Sequence, residues 1–179
     1  MQEKIKRYIE LLKEYNEKVN IYSKKAYDKL DFHIQDCINI AKLIGNEKIK
    51  VMDVGSGAGL PAVIIAILNH KNEVTAVESK SRKTNFLEIV KKELDLDNLM
   101  ILNKDINTLK GQEVEVFTAK AFAKPMDAIR IIGSIAPKKT KLIIPISEKQ
   151  AVEIEAVKAE DENRTLLRVD NYIYMKYFF

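Results

Sequence analysis

Ile5, Tyr8, Ile9, Leu12, Tyr15 and Val19 recur at three- and four-residue steps among lysines and glutamates, so the spacing predicts an amphipathic helix over 3–19. A second stretch, 30–44, sets Ile34, Cys37, Ile38, Ala41 and Ile44 on one helical face and meets a stop signal at Gly45. From Ile49 onward the pattern changes. Short apolar runs at 49–54, 73–77, 99–102, 114–119 and 141–146 read as strands, with helices between them over 60–69, 81–94 and 125–135. Ser81 is the expected cap of the helix whose Phe86, Leu87, Val90 and Leu94 face inward. Residues 169–179, rich in β-branched and aromatic side chains, predict one or two closing strands, with a hairpin turn near Asp170-Asn171. Such alternation implies an α/β fold, a doubly wound and mostly parallel sheet with helices on both faces. The expected division is an amino-terminal helical cap at 1–47 and one compact sheet domain at 48–179.

Composition narrows the class. The 179 residues are 46% hydrophobic and 31% charged, which supports a sizeable globular core and argues against disorder. No apolar run approaches the roughly eighteen residues of a spanning helix. Met1-Gln2-Glu3-Lys4 leads into a charged amphipathic pattern instead of a signal peptide, so a cytoplasmic protein without membrane association is expected. Cys37 is the single cysteine, which excludes a disulfide framework. Scattered with His33 and His70 it makes a poor zinc site, and no metal is expected. Cys37 reads as core, and His70, beside Lys71-Asn72, as an exposed turn residue. The net charge of +4 permits an anionic partner such as RNA without requiring one. A monomer is expected.

The candidate chemistry begins at Val51-Met52-Asp53-Val54-Gly55-Ser56-Gly57-Ala58-Gly59-Leu60, a buried strand opening into a glycine turn. Glycines there let the backbone approach a ligand, and Glu78, closing the next apolar run, is placed for a ribose diol. A dinucleotide site would carry its third small residue where this chain has Leu60. The actual spacing, G-x-G-x-G with Asp53 two residues ahead, resembles the first motif of class I S-adenosylmethionine-dependent methyltransferases (Rossmann-like). On that reading Asp53, Gly55, Ser56 and Gly57 contact the methionine part of the cofactor, and Glu78 accepts from the ribose hydroxyls. Asp105 and Ile106, with Asn107, frame the adenine, although Asp105 is equally suited to cap a helix. His33 and His70 lie outside this strand-end cluster. Methyl transfer from a sulfonium needs alignment more than covalent help, so no catalytic residue is assigned.

Three ordered motifs then carry a closer likeness. Glu78-Ser79-Lys80-Ser81-Arg82-Lys83-Thr84-Asn85-Phe86-Leu87, with the Asp53 to Pro61 turn and Thr118-Ala119-Lys120-Ala121-Phe122-Ala123, closely resembles the RsmG family, also called GidB. The resemblance spans most of the chain; Tyr15-Asn16, Asn20-Ile21, and His33 with Asp36 are similar to further family motifs. It implies a bacterial methyltransferase that places a methyl group from S-adenosyl-L-methionine on N7 of a guanine in 16S rRNA, with that RNA or the small ribosomal subunit as partner. It carries cofactor contacts onto Gly55, Leu60, the Ile106-Asn107 pair and Lys120. Most members have Arg at the last of these, in an Arg-Ala-Phe motif, and lysine keeps the charge but loses the planar fork. Lys80, Arg82 and Lys83 are candidates for RNA phosphates.

The substrate side departs from the family pattern. Pro137-Lys138-Lys139-Thr140 stands where the family has Pro-Gly-Gly, Ile146-Ser147 where it has Lys-Gly, and Asp105 and Asn171 align with family arginines. Lys104, Lys124, Arg168 and Lys176 are neighbouring cations available to substitute. Other readings stay open: a methyltransferase for a protein or small molecule, a non-catalytic relative that binds S-adenosylmethionine or RNA, and a nicotinamide-dependent oxidoreductase, which Leu60 counts against.

Overall fold

The computed structural model describes residues 1–156 and 162–179. Seven strands, β1 (Lys50–Val54), β2 (Glu73–Glu78), β3 (Leu99–Asn103), β4 (Val116–Thr118), β5 (Lys141–Ile146), β6 (Arg164–Val169) and β7 (Tyr172–Phe178), form one sheet in the order β3-β2-β1-β4-β5-β7-β6. The first five strands are parallel, and β7 runs antiparallel to both β5 and β6. Strand order reverses between β1 and β4. In open α/β sheets that reversal opens a crevice at the carboxyl ends of the strands, where ligands bind.

Side chains along each strand alternate between two cores. Val51, Val74, Ala76, Leu99 and Val116 face a cluster covered by α1 (Gln2–Lys18), α2 (Leu30–Ile44), α3 (Ala62–Leu68) and α4 (Ser81–Glu93). Met52, Val54, Phe117, Leu142 and Ile144 face the opposite cluster, under α5 (Pro125–Gly133) and α6 (Glu148–Ala156). The first two helices belong to the first core: Tyr8, Leu12, Cys37 and Ile40 are fully buried in the same cluster as α3 and α4. Among the described residues, no helix is long and apolar enough to cross a membrane.

Several boundaries differ from those the periodicity predicts. Helix α3 starts at Ala62 with Pro61 as its N-cap, so Leu60 stays in the glycine turn. Ser81 is not a cap. Lys80 holds that position, and Ser81 Oγ donates instead to Asn103 Oδ1 (3.0 Å), tying α4 to the end of β3. The closing hairpin begins at Arg164, well before 169, and turns at Asp170-Asn171, where Asp170 takes a φ of +51°. Helix α6 has no counterpart among the predicted elements. Its first turn is closed by a capping box in which Ser147 N donates to Gln150 Oε1 (2.8 Å) and Gln150 N to Ser147 Oγ (3.3 Å).

Candidate cofactor and substrate site

At the end of β1 the backbone amides of Gly55 and Ser56 both donate to Val77 O, at 2.9 and 3.0 Å, which folds the glycine turn over the end of β2. Gly55 and Gly57 hold φ values of +68° and +57°, a region that costs a residue with a Cβ about 1–2 kcal/mol. Their surroundings differ. A Cβ on Gly55 would lie 2.7 Å from Phe122 Cδ2, whereas one on Gly57 would meet nothing nearer than 3.8 Å. Packing therefore demands the first glycine, while at the second a Cβ would make only ordinary contacts with Gly55 O and Lys83 Nζ, so its positive φ alone calls for glycine.

Glu78 stands beside Gly57. It is buried, with Oε2 accepting from Gly57 N (3.0 Å) and Oε1 from Lys80 N (2.9 Å), and Lys83 Nζ lies 3.7 Å from Oε2. A carboxylate offers about four acceptor sites, so both oxygens keep capacity for further donors such as a diol. Helix α1 braces the same turn through Tyr8 OH, which donates to Ala58 O (2.8 Å), and ties to α4 through Tyr15 OH, which donates to Arg82 O (3.2 Å). Burial pushes the Tyr8 phenol well above its ordinary range, which keeps it a donor. Sequence reasoning places Tyr8 only on an apolar face; a hydroxyl in the middle of such a face is the signal it passes over.

Under the turn, Asp53 and Thr118 are register partners on β1 and β4, astride the switch point. Asp53 Oδ2 accepts from Ala62 N (3.3 Å) at the head of α3, and Ser56 Oγ donates to the Asp53 carbonyl (3.0 Å). Asp53 Oδ1 and Thr118 Oγ1 are buried without a hydrogen-bond partner among the described residues. Burial lifts the Asp53 carboxyl from 3.8 to about 7; the Ser56 hydroxyl and Ala62 amide pull it back, and the charge of Glu78 adds to the rise. Thr118 opens a family-like motif in the sequence yet receives no site role there, because a β-branched residue in an apolar run reads as a strand former.

Asp105, Ile106 and Asn107 follow β3. Asp105 Oδ1 accepts from Asn107 N (2.9 Å) and Asn107 Nδ2 (2.8 Å), capping the 3-10 turn Ile106–Thr108, so its carboxylate is engaged locally. Ile106 is buried and its two neighbours are exposed. Lys80 and Arg82 are exposed at the head of α4, while Lys83 turns inward toward Glu78.

The position of His33 is a correction to the sequence reading. It belongs to the strand-end cluster, with Nδ1 3.0 Å from Lys120 Nζ, and Lys120 Nζ is also 3.2 Å from Asp36 Oδ2. Helix α2 packs on β5 and so carries both residues to the segment after β4. Because an ammonium only donates, His33 must accept at Nδ1 and hold its proton on Nε2. Burial and the Lys120 charge both lower its pKa, with Asp36 opposing, which favours that neutral form. The contact joins residues 87 apart, beyond any local spacing rule. His70 sits in an exposed turn beside Asn46, as expected. Of the other cations, Arg168 forks onto Glu148 at 3.0 and 3.1 Å, and Lys176 lies over the Phe178 ring.

A family profile described as GidB, rRNA small subunit methyltransferase G, matches residues 1–172. The chain belongs to the GidB family. The ribosomal RNA small subunit methyltransferase G of Brachyspira hyodysenteriae is 34% identical over 159 residues, covering 88% of this chain and 76% of that protein. The Francisella philomiragia protein of the same name is 41% identical over 105 residues, 58% of this chain and 50% of the relative. Among solved structures, this GidB chain is similar to a SAM dependent methyltransferase from Aquifex aeolicus, with a TM-score of 0.62, 19% identity, and coverage of 88% and 98% of the two chains. A variant of MtNAS in complex with S-adenosylmethionine gives a TM-score of 0.64 at 19% identity, covering 97% of this chain and 75% of that one. These likenesses establish the class I methyltransferase fold for this GidB member.

Proposed function

We propose that this GidB chain is an S-adenosylmethionine-dependent methyltransferase that acts on N7 of a guanine in 16S rRNA, working in the cytoplasm as a monomer on the small ribosomal subunit. The observation that carries the reading is the set of acceptors at the switch point. The positive-φ glycine turn at Gly55 and Gly57, the spare acceptor capacity of Glu78 and the partnerless Asp53 Oδ1 together fit a ligand that brings cationic and hydroxyl donors. S-adenosylmethionine has both, in its ammonium group and its ribose diol, and its sulfonium adds a positive charge without donating a bond. Bound here, it supplies a methyl group already activated on sulfur.

The chain supplies binding and alignment. Asp53, Gly55, Ser56 and Gly57 hold the methionine part, Glu78 the ribose, and Asp105, Ile106 and Asn107 the adenine, while Leu60 packs the turn and Lys120 borders it. Guanine N7 carries an in-plane lone pair, so the protein needs no general base to deprotonate it; the task is to hold the base in line and keep water out. Lys80 and Arg82 point to solvent, where they meet RNA phosphates, and Lys83 stays with Glu78.

The test is incubation with small ribosomal subunits and methyl-labelled S-adenosylmethionine, followed by mass-spectrometric mapping of the rRNA. Label on one guanine N7 is the expected result. Intact cofactor binding with no label in rRNA would overturn the proposal.

A further inference from the structure

We propose that the cavity beside Lys120 receives the target base and that Asp36 selects guanine by accepting from its N1–H and N2–H groups. This rests on the methyltransferase reading above. The cavity, about 350 Å³, opens near the ends of β4, β5 and β7, and its walls include Phe32, Asp36, Lys120, Ala121, Ile146 and Tyr172. Ligand pockets span roughly 300–1,000 Å³, so this one suits a single base.

Its chemistry is that of base recognition. Phe32 and Tyr172 stack with centroids 4.7 Å apart and planes 23° apart, yet Phe32 remains 48% exposed. That leaves a flat apolar surface at the mouth of the cavity, on which an unstacked base can lie. Asp36 is 3% exposed and pairs with Lys120, which uses one of the roughly four acceptor sites of a carboxylate. Lys120 and Asp36 together therefore offer a donor followed by two acceptors. Guanine presents the complement along its Watson–Crick edge: the O6 acceptor, then N1–H, then the N2 amine. Adenine and cytosine place an acceptor nitrogen beside their amine, which a carboxylate repels, and uracil has only one N–H. Recognition of this edge leaves guanine N7 unengaged.

The cavity also adjoins the cofactor turn. Lys120 and Ala121 line it, while the next residue, Phe122, packs against Gly55, so one tripeptide is wall to both spaces. Ala121 holds a φ of +54°, a conformation that costs a residue with a Cβ and that recurs at ligand clamps.

Small subunits reconstituted with guanosine or inosine at the methylated position provide the test, because inosine lacks only the N2 amine. Wild-type protein is expected to lose about tenfold or more in kcat/KM on inosine, since a site built to bond an N–H rejects the analogue without it. Asp36→Asn, whose amide oxygen accepts more weakly than a carboxylate, should narrow the guanosine-to-inosine ratio by roughly threefold or more. A purely structural role for Asp36 lowers both rates and leaves the ratio unchanged. Equal wild-type rates on the two bases, or a ratio that Asp36→Asn leaves intact, would overturn the assignment. Failure of wild-type protein to methylate the guanosine subunits would instead sink the enzymatic reading, and this inference with it.

Discussion

Replacing Asp53 with Asn tests the electrostatics at the centre of the site. In the unfolded chain this carboxyl titrates near 3.8, and in the folded protein near 7, because it is fully buried beside Glu78. Between those values the native state keeps a proton that the unfolded state has released. Stability conferred at this position is therefore intact below about pH 4, falls as pH rises, and is fully lost above about pH 7. About three pH units at about 1.4 kcal/mol each set the total near 4 kcal/mol. Asn carries no proton to lose and can still accept from the Ala62 amide. Urea unfolding of both proteins at steps from pH 4 to pH 8 isolates the effect, since titrating groups other than the coupled Glu78 cancel in the difference. Relative to Asp53→Asn, the wild type should lose stability across that range by an amount of this order. A flat difference would refute the claim that Asp53 folds protonated. A cationic cofactor beside this carboxyl also favours its charged form, so wild-type binding should release a proton near pH 6.5 and strengthen toward pH 8. Calorimetry in two buffers of different ionisation enthalpy reads that proton directly, and Asp53→Asn should lack it.

Gly57→Ala is expected to fold with a loss of about 1–2 kcal/mol from its positive φ. Its Cβ adds bulk to the turn proposed to hold the methionine part, so calorimetry should show S-adenosylmethionine binding weakened at least about tenfold, a drop of about 1.4 kcal/mol; unchanged affinity would count against the cofactor site. Tyr8→Phe removes a 2.8 Å buried bond and leaves the Ala58 carbonyl unpaired, at a cost of about 1–3 kcal/mol in denaturant titration, and no change would show that α1 does not brace the turn. Lys120→Ala strands the buried Asp36 carboxylate and should cost about 3–5 kcal/mol, most of which the Lys120→Ala, Asp36→Ala double variant recovers; additive losses would mean the two are not coupled. Lys80→Ala and Arg82→Ala should each lower the salt slope of RNA binding by about 1, and unchanged slopes would mark that face as merely solvated.

What the sequence reveals and what it withholds divide along the range of the interactions. Strands β1 to β5, the helical faces of α1 and α2 and the glycine turn all follow from spacings of a few residues, where one element's periodicity is its own record. Helix α6 is local too, yet it buries only Ala151 and Ile154, too few positions to set a period. Its legible signal is chemical, the capping box of Ser147 and Gln150. Strand β6 escapes notice for a related reason: it lies at the sheet edge with no fully buried residue, so no apolar run marks it. The site residues that spacing misses are of another kind. Asp53 meets Thr118 only because β4 inserts next to β1, and His33 and Asp36 meet Lys120 only because α2 crosses to β5. A single order of strands, 3-2-1-4-5, produces both encounters. Cofactor and substrate chemistry thus share one cause, and a change that disturbs the β1–β4 pairing should damage both together, whereas changes at Gly57 or Asp36 should separate them.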